Sequence, residues 1–433
     1  MTPVDIGILG VIALFVLMFL GMNIGLAMGL VAIAGLAALT SLDAALLRLG
    51  SASLGITLSY SMAVLPLFML MGEFAFLSGL ASDAYYGAHK WLGHLPGGLG
   101  MATIVGCAGF SAVCGSSIAT TTTMGSVALP EMRRYKYAPA LSIGSIAAGG
   151  TMGILIPPSA AFILYGIITE ESIGRLYMAG IFPGLLLTFL FMMTIYVLAK
   201  RNPALGPPGP KTSLRERLGA FKDAWGVVVL FVVVMGGLYT GVFTPTEAAA
   251  VGALCAFLIA LVKRKVTKQN LIDSFMNMVL TTGMVFLILI GAIIYGYFMA
   301  ASRLTTVMAD FVIGLPLPPI AILIAILLLF LILGCVMDTF AMLMIVVPVL
   351  VPVIVQLGYN SIWFAVVTVI MMELGMITPP VGMNVFIMHG VAKDVSMYTI
   401  FKGVMPYAVA MAVCVALLVA FPQIALFLPG RMH

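Results

Sequence analysis

Long apolar runs recur along the whole chain and dominate its pattern of hydrophobic and polar positions. About ten of them have the length and the lack of charge of helices that cross a bilayer. The predicted spans cover 4–21, 24–40, 52–79, 138–168, 173–199, 225–242, 246–262, 273–300, 360–391 and 399–427. A transmembrane β-barrel would instead show segments of roughly 10 residues with alternating polarity. The pattern therefore predicts an all-α polytopic membrane protein.

Four further apolar pieces are shorter and come in two pairs. The pairs are 97–113 with 117–132, and 318–335 with 340–357. Only Gly115-Ser116 in the first pair, and Asp338-Thr339 with a few small or apolar neighbours in the second, separate the two members. A full crossing would need a polar turn in the headgroup region, so we interpret each pair as a re-entrant helical hairpin. Irregular backbone at such depth persists only when it is buried in protein or lines a wet cavity.

Composition agrees with this class and excludes a soluble fold. The 433-residue chain is 63% hydrophobic and 8% charged, whereas soluble domains contain about 25% charged residues. The net charge of +5 comes from basic residues in short loops, so we expect no nucleic-acid partner. The cysteines are odd in number and lack ligand spacing, so we interpret them as small apolar residues. They are Cys107, Cys114, Cys255, Cys335 and Cys414.

The distribution of lysine and arginine predicts the orientation. If the basic linker 200–222 is cytoplasmic, 16 of the 20 basic residues fall on the cytoplasmic side, as the positive-inside rule favours. Both termini are then periplasmic. The first hairpin enters the membrane from the cytoplasm, and the second enters from the opposite face.

Two stretches of the chain resemble each other. Pro157-Pro158 and Pro379-Pro380 lie 222 residues apart, each after a hairpin and before a further span. Because the charge pattern gives the two copies opposite orientations, they form an inverted-topology repeat with discontinuous helices. Such repeats build the midplane site of many secondary transporters. The basic, proline-rich linker between them is either an interfacial helix with Leu214, Leu218 and Phe221 on its apolar face or a solvated connector.

The first hairpin tip offers oxygen atoms and a helix N-terminus. Ser116, Ser117 and Thr120 carry hydroxyl groups there, and the positive end of the helix dipole suits a substrate carboxylate. Carbonyl groups freed near Gly150 and Gly153 are expected to face the same point. Together these groups would make an oxygen cage suited to Na⁺. The alternative is close helix packing through small residues.

The second tip carries an acid within an apolar stretch. A carboxylate at membrane depth is costly, so Asp338 is predicted to function in binding, beside Thr339. Its partner would be a cation near Gly375 and Thr378. The alternative role is an N-cap on the second hairpin arm, which is compatible with binding.

Two other acids and one motif complete the candidate chemistry. Glu373 lies within one turn of Gly375 and is expected to tune the second site or to be satisfied by a neighbour. For Glu73 we favour the second, structural role. Thr244 and Glu247 form a predicted capping box.

At these residues the chain resembles the large membrane subunit of tripartite ATP-independent periplasmic (TRAP) transporters, the DctM-like family. The resemblance covers nearly the whole chain. Its motifs lie at 115–120, 128–132, 144–159, 165–172, 243–250 and 375–384. It implies a bacterial or archaeal inner-membrane protein that couples uptake of an organic acid to Na⁺. It also implies a small membrane subunit (DctQ-like) and a periplasmic substrate-binding protein (DctP-like) as partners, with a C4-dicarboxylate, a sialic acid or a similar carboxylate as substrate.

The resemblance further implies an elevator mechanism and a domain division. Scaffold helices would occupy 1–87 and 223–304, and the halves of the mobile transport domain 88–199 and 305–433, with 200–222 as linker. Carried over by motif, one Na⁺ site maps to Ser116, Ser117, Gly150 and Gly153. The other maps to Asp338, Thr339, Gly375 and Thr378.

Other classes stay open at this point. A self-sufficient dicarboxylate/sodium symporter with the same hairpins would need no binding protein. A channel also fits hairpins that enter from opposite faces. An enzyme is not expected, because the apolar segments contain few histidines and no nucleophile–base arrangement.

Overall fold

The protein is a bundle of α-helices. A computed structural model describes residues 1–432, and the side chains at 221–223 and 313 lie outside the described part. Within that part there are helices and two short 3-10 segments, and no strand. The helices are α1 Pro3–Phe19, α2 Ile24–Leu39, α3 Leu42–Leu58, α4 Val64–Leu77, α5 Leu80–Leu92, α6 Gly98–Cys114, α7 Ser117–Arg134, α8 Pro139–Gly150, α9 Met152–Leu155, α10 Ala160–Thr169, α11 Ile173–Arg201, α12 Leu214–Asp223, α13 Trp225–Tyr239, α14 Pro245–Val262, α15 Lys268–Ala301, α16 Leu304–Ile313, α17 Pro319–Gly334, α18 Thr339–Gln356, α19 Ser361–Met376, α20 Met383–Val391, α21 Met397–Ala420 and α22 Gln423–Leu426.

Side-chain caps start many of these helices. The first N–H groups of a helix have no partner within it, and an unsatisfied N–H is costly near a bilayer. The capping box at Thr244 and Glu247 is confirmed, with Thr244 N–H donating to Glu247 Oε2 at 2.8 Å. Thr2 with Asp5 forms another such box at α1. The local sequence therefore fixes where the spans begin.

The all-α class is confirmed, and a pair of helices joined by a short turn lies at each predicted hairpin, whereas entry of each pair into the membrane from one face stays a prediction. Each predicted hairpin arm agrees with its helix, α6, α7, α17 or α18, to within about two residues.

The predicted span 52–79 is wrong at its start. Ser41 caps a separate helix, α3, which ends before Ser59, and a short 3-10 segment precedes α4. The rest of the prediction agrees with Tyr60–Leu77, which is long and apolar enough to cross a membrane. The pattern of long apolar runs does not predict α5 and α16, because these helices have only 13 and 10 residues.

The number of crossings stays a prediction. In residues 1–432, seven helices are long and apolar enough to cross a membrane, or eight if the bent pair α12–α13 counts as one span. The helices at the first two predicted spans, α1 and α2, have 17 and 16 residues, which is fewer than the 18 residues required of a crossing helix. The span 138–168 is broken into α8, α9 and α10.

The inverted repeat extends over both halves of the chain. From α1 through α11, the elements have counterparts between α13 and α21 in the same order, with α3 and α4 together matching the long α15 and with α8 and α9 together matching α19. Gly79 and Arg303, which precede α5 and α16, both adopt left-handed backbone conformations. Both Pro-Pro bonds that follow the hairpins are cis. The division into scaffold and mobile domain remains a prediction.

The two halves of the chain pack against each other at the hairpins. The broken helix of the first half, through α10, packs against α18 of the second hairpin, and α20 of the second half packs against α7 of the first. At the end of α7, Arg133 also pairs with Asp394 at 2.6 Å. The hydrogen bond from the Arg133 guanidinium lowers the pKa of Asp394 below its usual value. Each hairpin is therefore held by elements of both halves.

The linker is a docked segment rather than a free connector. Leu205 and Gly206 accept hydrogen bonds from the N–H groups of Ala138 and Gly97 at 3.0 and 2.9 Å, and Gly209 N–H donates to the Gly93 carbonyl at 2.8 Å. We call residues 205–209 the strap, because they join the loops on both sides of the first hairpin.

The segment after the strap forms α12. Its Leu214 and Leu218 are exposed, which favours the interfacial helix over a solvated connector. The side chains of Phe221 and Lys222, predicted for the same helix, lie outside the described residues.

The predicted topology can be tested by labelling from each side. On a cysteine-free background, Arg134→Cys at the base of the first hairpin and Leu317→Cys at the base of the second place thiols at exposed positions. An impermeant thiol reagent should label Arg134→Cys only from the cytoplasm and Leu317→Cys only from the periplasm. Labelling of both from one face would refute the inverted arrangement.

Candidate functional site

The first hairpin tip lies against the break in its own half. Gly115 ends α6 in a left-handed conformation with φ +69°. A Cβ at this position would come within 2.8 Å of the Pro158 carbonyl oxygen. The Ser116 hydroxyl then caps α7 by accepting from Ala119 N–H at 3.3 Å. The close approach of tip and break therefore requires glycine at this turn.

The four residues of the first predicted Na⁺ site are brought together. A Cβ on Gly153 would overlap the Ser116 carbonyl, and one on Gly150 would overlap the Thr121 hydroxyl and lie 3.3 Å from the Ser117 carbonyl oxygen. The two glycines thus allow the broken helix to contact the tip. Ligation of an ion by these atoms remains a prediction.

At the second tip, the capping role predicted for Asp338 is present. Its Oδ1 accepts from the N–H groups of Phe340 and Ala341 at 2.8 and 3.0 Å, which starts α18. Gly375 contacts the first arm of this hairpin, since a Cβ there would lie 2.5 Å from the Gly334 carbonyl carbon. The hydroxyl of Thr378 donates to the Leu374 carbonyl at 2.6 Å, so its described side-chain bond is local to the helix end.

Glu373 joins the two hairpin tips. Its Oε2 accepts from the Ser117 hydroxyl at 2.7 Å and its Oε1 from the Thr339 hydroxyl at 3.1 Å. The side chain is 1% exposed. The sequence predicts that Glu373 either tunes the second site or is satisfied by a neighbour, and it does not place Glu373 among the site residues. The available signal was an acid in an apolar span, one turn before a glycine.

Two buried threonines lie beside the first tip. Thr120 and Thr121 are fully buried. The Thr120 side chain interacts with the Cys114 thiol, whereas the Thr121 hydroxyl has no hydrogen-bond partner among the described residues. Thr120, predicted to bind substrate, therefore lies inside the protein.

A cleft of about 490 Å³ lies beside the first hairpin, between α4, α7 and α15. On its scaffold side the Asn277 side-chain amide donates to Glu73 Oε2 at 3.2 Å. The polar residues that line it are Glu73, Ser116, Thr122, Thr123, Ser126, Asn277 and Thr281. Of the five residues predicted to bind substrate, Ser116 lines this cleft, whereas Ser117, Thr120, Asp338 and Thr339 do not.

A counterpart cleft of about 330 Å³ lies beside the second hairpin. It is formed by α15, α16 and α18 and includes Thr306, Asp310 and Gln356. The two clefts occupy corresponding places in the repeat, since Gly72 lines the first and Gly296 the second. Each hairpin therefore has a cavity next to it that is lined by apolar residues and several polar ones.

These features define the class of protein. Inverted halves, discontinuous helices and cavities beside the hairpins are the architecture of a secondary transporter. Residues 11–424 match the family model described as "Tripartite ATP-independent periplasmic transporter, DctM component". The chain belongs to this family and is a multi-pass membrane component of a transporter, not an enzyme. The resemblance inferred from the motifs is confirmed.

Known relatives cover nearly the full length. The chain is 33% identical to the C4-dicarboxylate TRAP transporter large permease protein DctM of Pseudomonas aeruginosa, over 86% of each chain. It is 33% identical to the sialic acid TRAP transporter large permease protein SiaM of Vibrio cholerae, over 95% of this chain and 96% of that one. The YdaH transporter of Alcanivorax borkumensis shares the fold, with a TM-score of 0.65 at 15% identity over 88% of this chain and 90% of that one.

The contact between Gly375 and Gly334 yields a stability prediction. Gly375→Ala should lower the free energy of unfolding by about 1–3 kcal/mol, because the added methyl group forces two backbones apart. Gly283→Ala is the matched control, since nothing lies within 4 Å of a Cβ at that helical position. Thermal unfolding of the purified variants measures the difference. Equal midpoints for the two variants would contradict the close contact.

Proposed function

We propose that the chain carries an organic acid across the inner membrane of a bacterium or archaeon in symport with Na⁺. It works with a small membrane subunit and a periplasmic substrate-binding protein. The tripartite description of the family supports partners. So does a relative from Oleidesulfovibrio alaskensis whose name, "Isethionate TRAP transporter permease protein DctMQ", joins two subunit names and of which this chain covers 66%.

The observation that carries the Na⁺ proposal is the position of Glu373 between the two tips. Ser117 donates its one hydroxyl hydrogen to this carboxylate, and the Thr339 hydroxyl lies within hydrogen-bond distance of both this carboxylate and the Met376 sulfur. Their remaining lone pairs are acceptors, which suit a cation. A carboxylate buried in a membrane protein is costly without a compensating charge. A bound Na⁺ beside either hydroxyl would supply that charge.

Two ion sites follow from this arrangement, with Glu373 adjacent to both. The first would use oxygens of Ser116 and Ser117 and carbonyl groups near Gly150 and Gly153. The second would use Asp338, Thr339 and the helix end at Gly375 and Thr378. Because one carboxylate serves both tips, an ion at one site changes the charge felt at the other.

The substrate would bind next to the first tip and move with it. We propose an elevator mechanism, in which the hairpins and broken helices move against scaffold helices from 1–87 and 223–304. The two clefts, one beside each hairpin, support access from alternate sides. Both termini would be periplasmic, as the charge distribution favours.

Uptake into proteoliposomes that contain this chain and its two partners tests the coupling. Removing the Na⁺ gradient should reduce uptake to background. Glu373→Gln should reduce it at least about tenfold, because loss of the charge weakens cation binding by roughly 1.4 kcal/mol or more. Glu170→Gln, at an exposed position, is the control. Uptake that persists unchanged with choline in place of Na⁺ would refute symport, and uptake without partners would favour the self-sufficient symporter.

Asp338→Asn separates capping from charge at the second tip. Asparagine caps helices about as well as aspartate, so the thermal unfolding midpoint should stay close to that of the wild type. The Na⁺ concentration for half-maximal uptake should rise about tenfold, since the neutral side chain no longer attracts the ion. Asp338→Ala should in addition lower stability by about 1 kcal/mol through loss of the cap. Wild-type Na⁺ dependence in Asp338→Asn would reduce Asp338 to a capping residue.

A further inference from the structure

The hairpin wall of the cleft beside the first tip presents hydrogen-bond acceptors. Thr122 donates its hydroxyl hydrogen to the Ile118 carbonyl at 2.9 Å, and Ser126 donates its own to the Thr123 carbonyl at 2.7 Å. A hydroxyl has one hydrogen and two lone pairs. What these exposed side chains offer to the cleft is therefore lone pairs.

The scaffold wall presents acceptors as well. Asn277 uses one N–H to bind Glu73 Oε2. This leaves Glu73 Oε1 and the Asn277 carbonyl oxygen as acceptors, with one amide N–H of Asn277 as a donor. Among the described side chains that line the cleft, none is lysine or arginine. The donors that a ligand meets there are therefore neutral, namely the second Asn277 N–H and hydroxyl groups such as that of Ser116.

The same wall disfavours a second carboxylate on the substrate. A second anionic group would meet Glu73 without a basic residue nearby, and like charges placed together cost several kcal/mol. A hydroxylated carbon chain instead matches the acceptors on both walls. The cleft follows α7 from Ser116 to Ser126, about 15 Å at 1.5 Å per residue, which leaves room beyond the carboxylate end for several hydroxylated carbons.

We infer that the substrate is a monocarboxylate whose other carbons carry hydroxyl groups, and that Glu73 rejects dicarboxylates. The inference rests on the proposed transport of an organic acid and narrows its substrate class. The names of relatives include C4-dicarboxylates, sialic acid and, for a protein from Escherichia coli 31% identical to this chain, 2,3-diketo-L-gulonate. Those names alone therefore leave open whether the substrate is a dicarboxylate or a hydroxylated monocarboxylate. The cleft, with Glu73 and no lysine or arginine among its described lining residues, favours the hydroxylated monocarboxylate.

Four six-carbon acids test this inference on the full-length chain in lipid nanodiscs. D-Gluconate carries hydroxyls, hexanoate carries none, adipate has a second carboxylate and 6-aminohexanoate has an ammonium group. Binding is measured from the rise in the thermal unfolding midpoint with acid concentration, in Na⁺ and in K⁺. We expect gluconate to bind in Na⁺ at least about tenfold more tightly than hexanoate or adipate.

The variant Glu73→Gln tests whether Glu73 sets the specificity, and Glu170→Gln is the control. The neutral amide should improve adipate binding at least about tenfold, because the repulsion is removed, while gluconate binding falls only a few-fold. The control should keep the wild-type order of affinities. The wild-type comparison stands by itself if Glu73→Gln does not fold.

The outcomes separate this inference from the proposed function. Na⁺-dependent binding of adipate as tight as that of gluconate would leave symport intact and overturn the inference. An unchanged adipate-to-gluconate ratio in folded Glu73→Gln would overturn the role of Glu73. Tighter binding of 6-aminohexanoate than of gluconate would replace hydroxyl recognition with ammonium recognition. If none of the acids binds with Na⁺, the inference is overturned, whereas the proposed symport is decided by the uptake measurement in proteoliposomes.

Discussion

The carboxylate of Glu373 fixes the relation between the two hairpins. Its partners, Ser117 and Thr339, come from different halves of the chain, so the bonds exist only when both tips meet the same helix. Every residue of α19, which carries Glu373, is buried. A buried acid is tolerated only when its oxygens are satisfied. The two hydrogen bonds to Glu373 therefore hold the tips in one position relative to each other.

Glycine contacts make that position sterically accessible. Besides the Gly375–Gly334 contact, a Cβ on Gly144 of α8 would lie 2.5 Å from the Gly403 carbonyl oxygen of α21. In lipid, helices associate through close packing and polar contacts rather than through exclusion of water. Backbone contacts at glycines thus provide the packing, and hydroxyl and carboxylate groups at the tips provide the specific bonds.

The sequence predicts the local features well and the long-range ones poorly. Hairpin arms and Pro-Pro breaks carry strong apolar and turn signals, so their bounds agree with the helices. The helices α5 and α16 have 13 and 10 residues, so a search for long apolar runs does not find them. The bond between Ser117 and Glu373 joins residues 256 positions apart, and no periodicity encodes such a pair. The cleft pair Glu73–Asn277 was missed for the same reason, since it depends on how two distant helices pack.

The strap has a consequence for which sequence changes the linker tolerates. Proline- and glycine-rich connectors usually accept insertions and drift freely, because little contacts them. Residues 205–209 instead make three backbone hydrogen bonds to the loops beside the first hairpin, and a Cβ on Gly206 would lie 3.0 Å from Leu141 and 3.1 Å from Gly97. The strap thus has the composition of a spacer but the close packing of a protein core. Fusion sites and length changes therefore belong neither in the strap nor at Thr212 and Ser213, where the Thr212 hydroxyl donates to the Lys90 carbonyl and Ser213 caps α12.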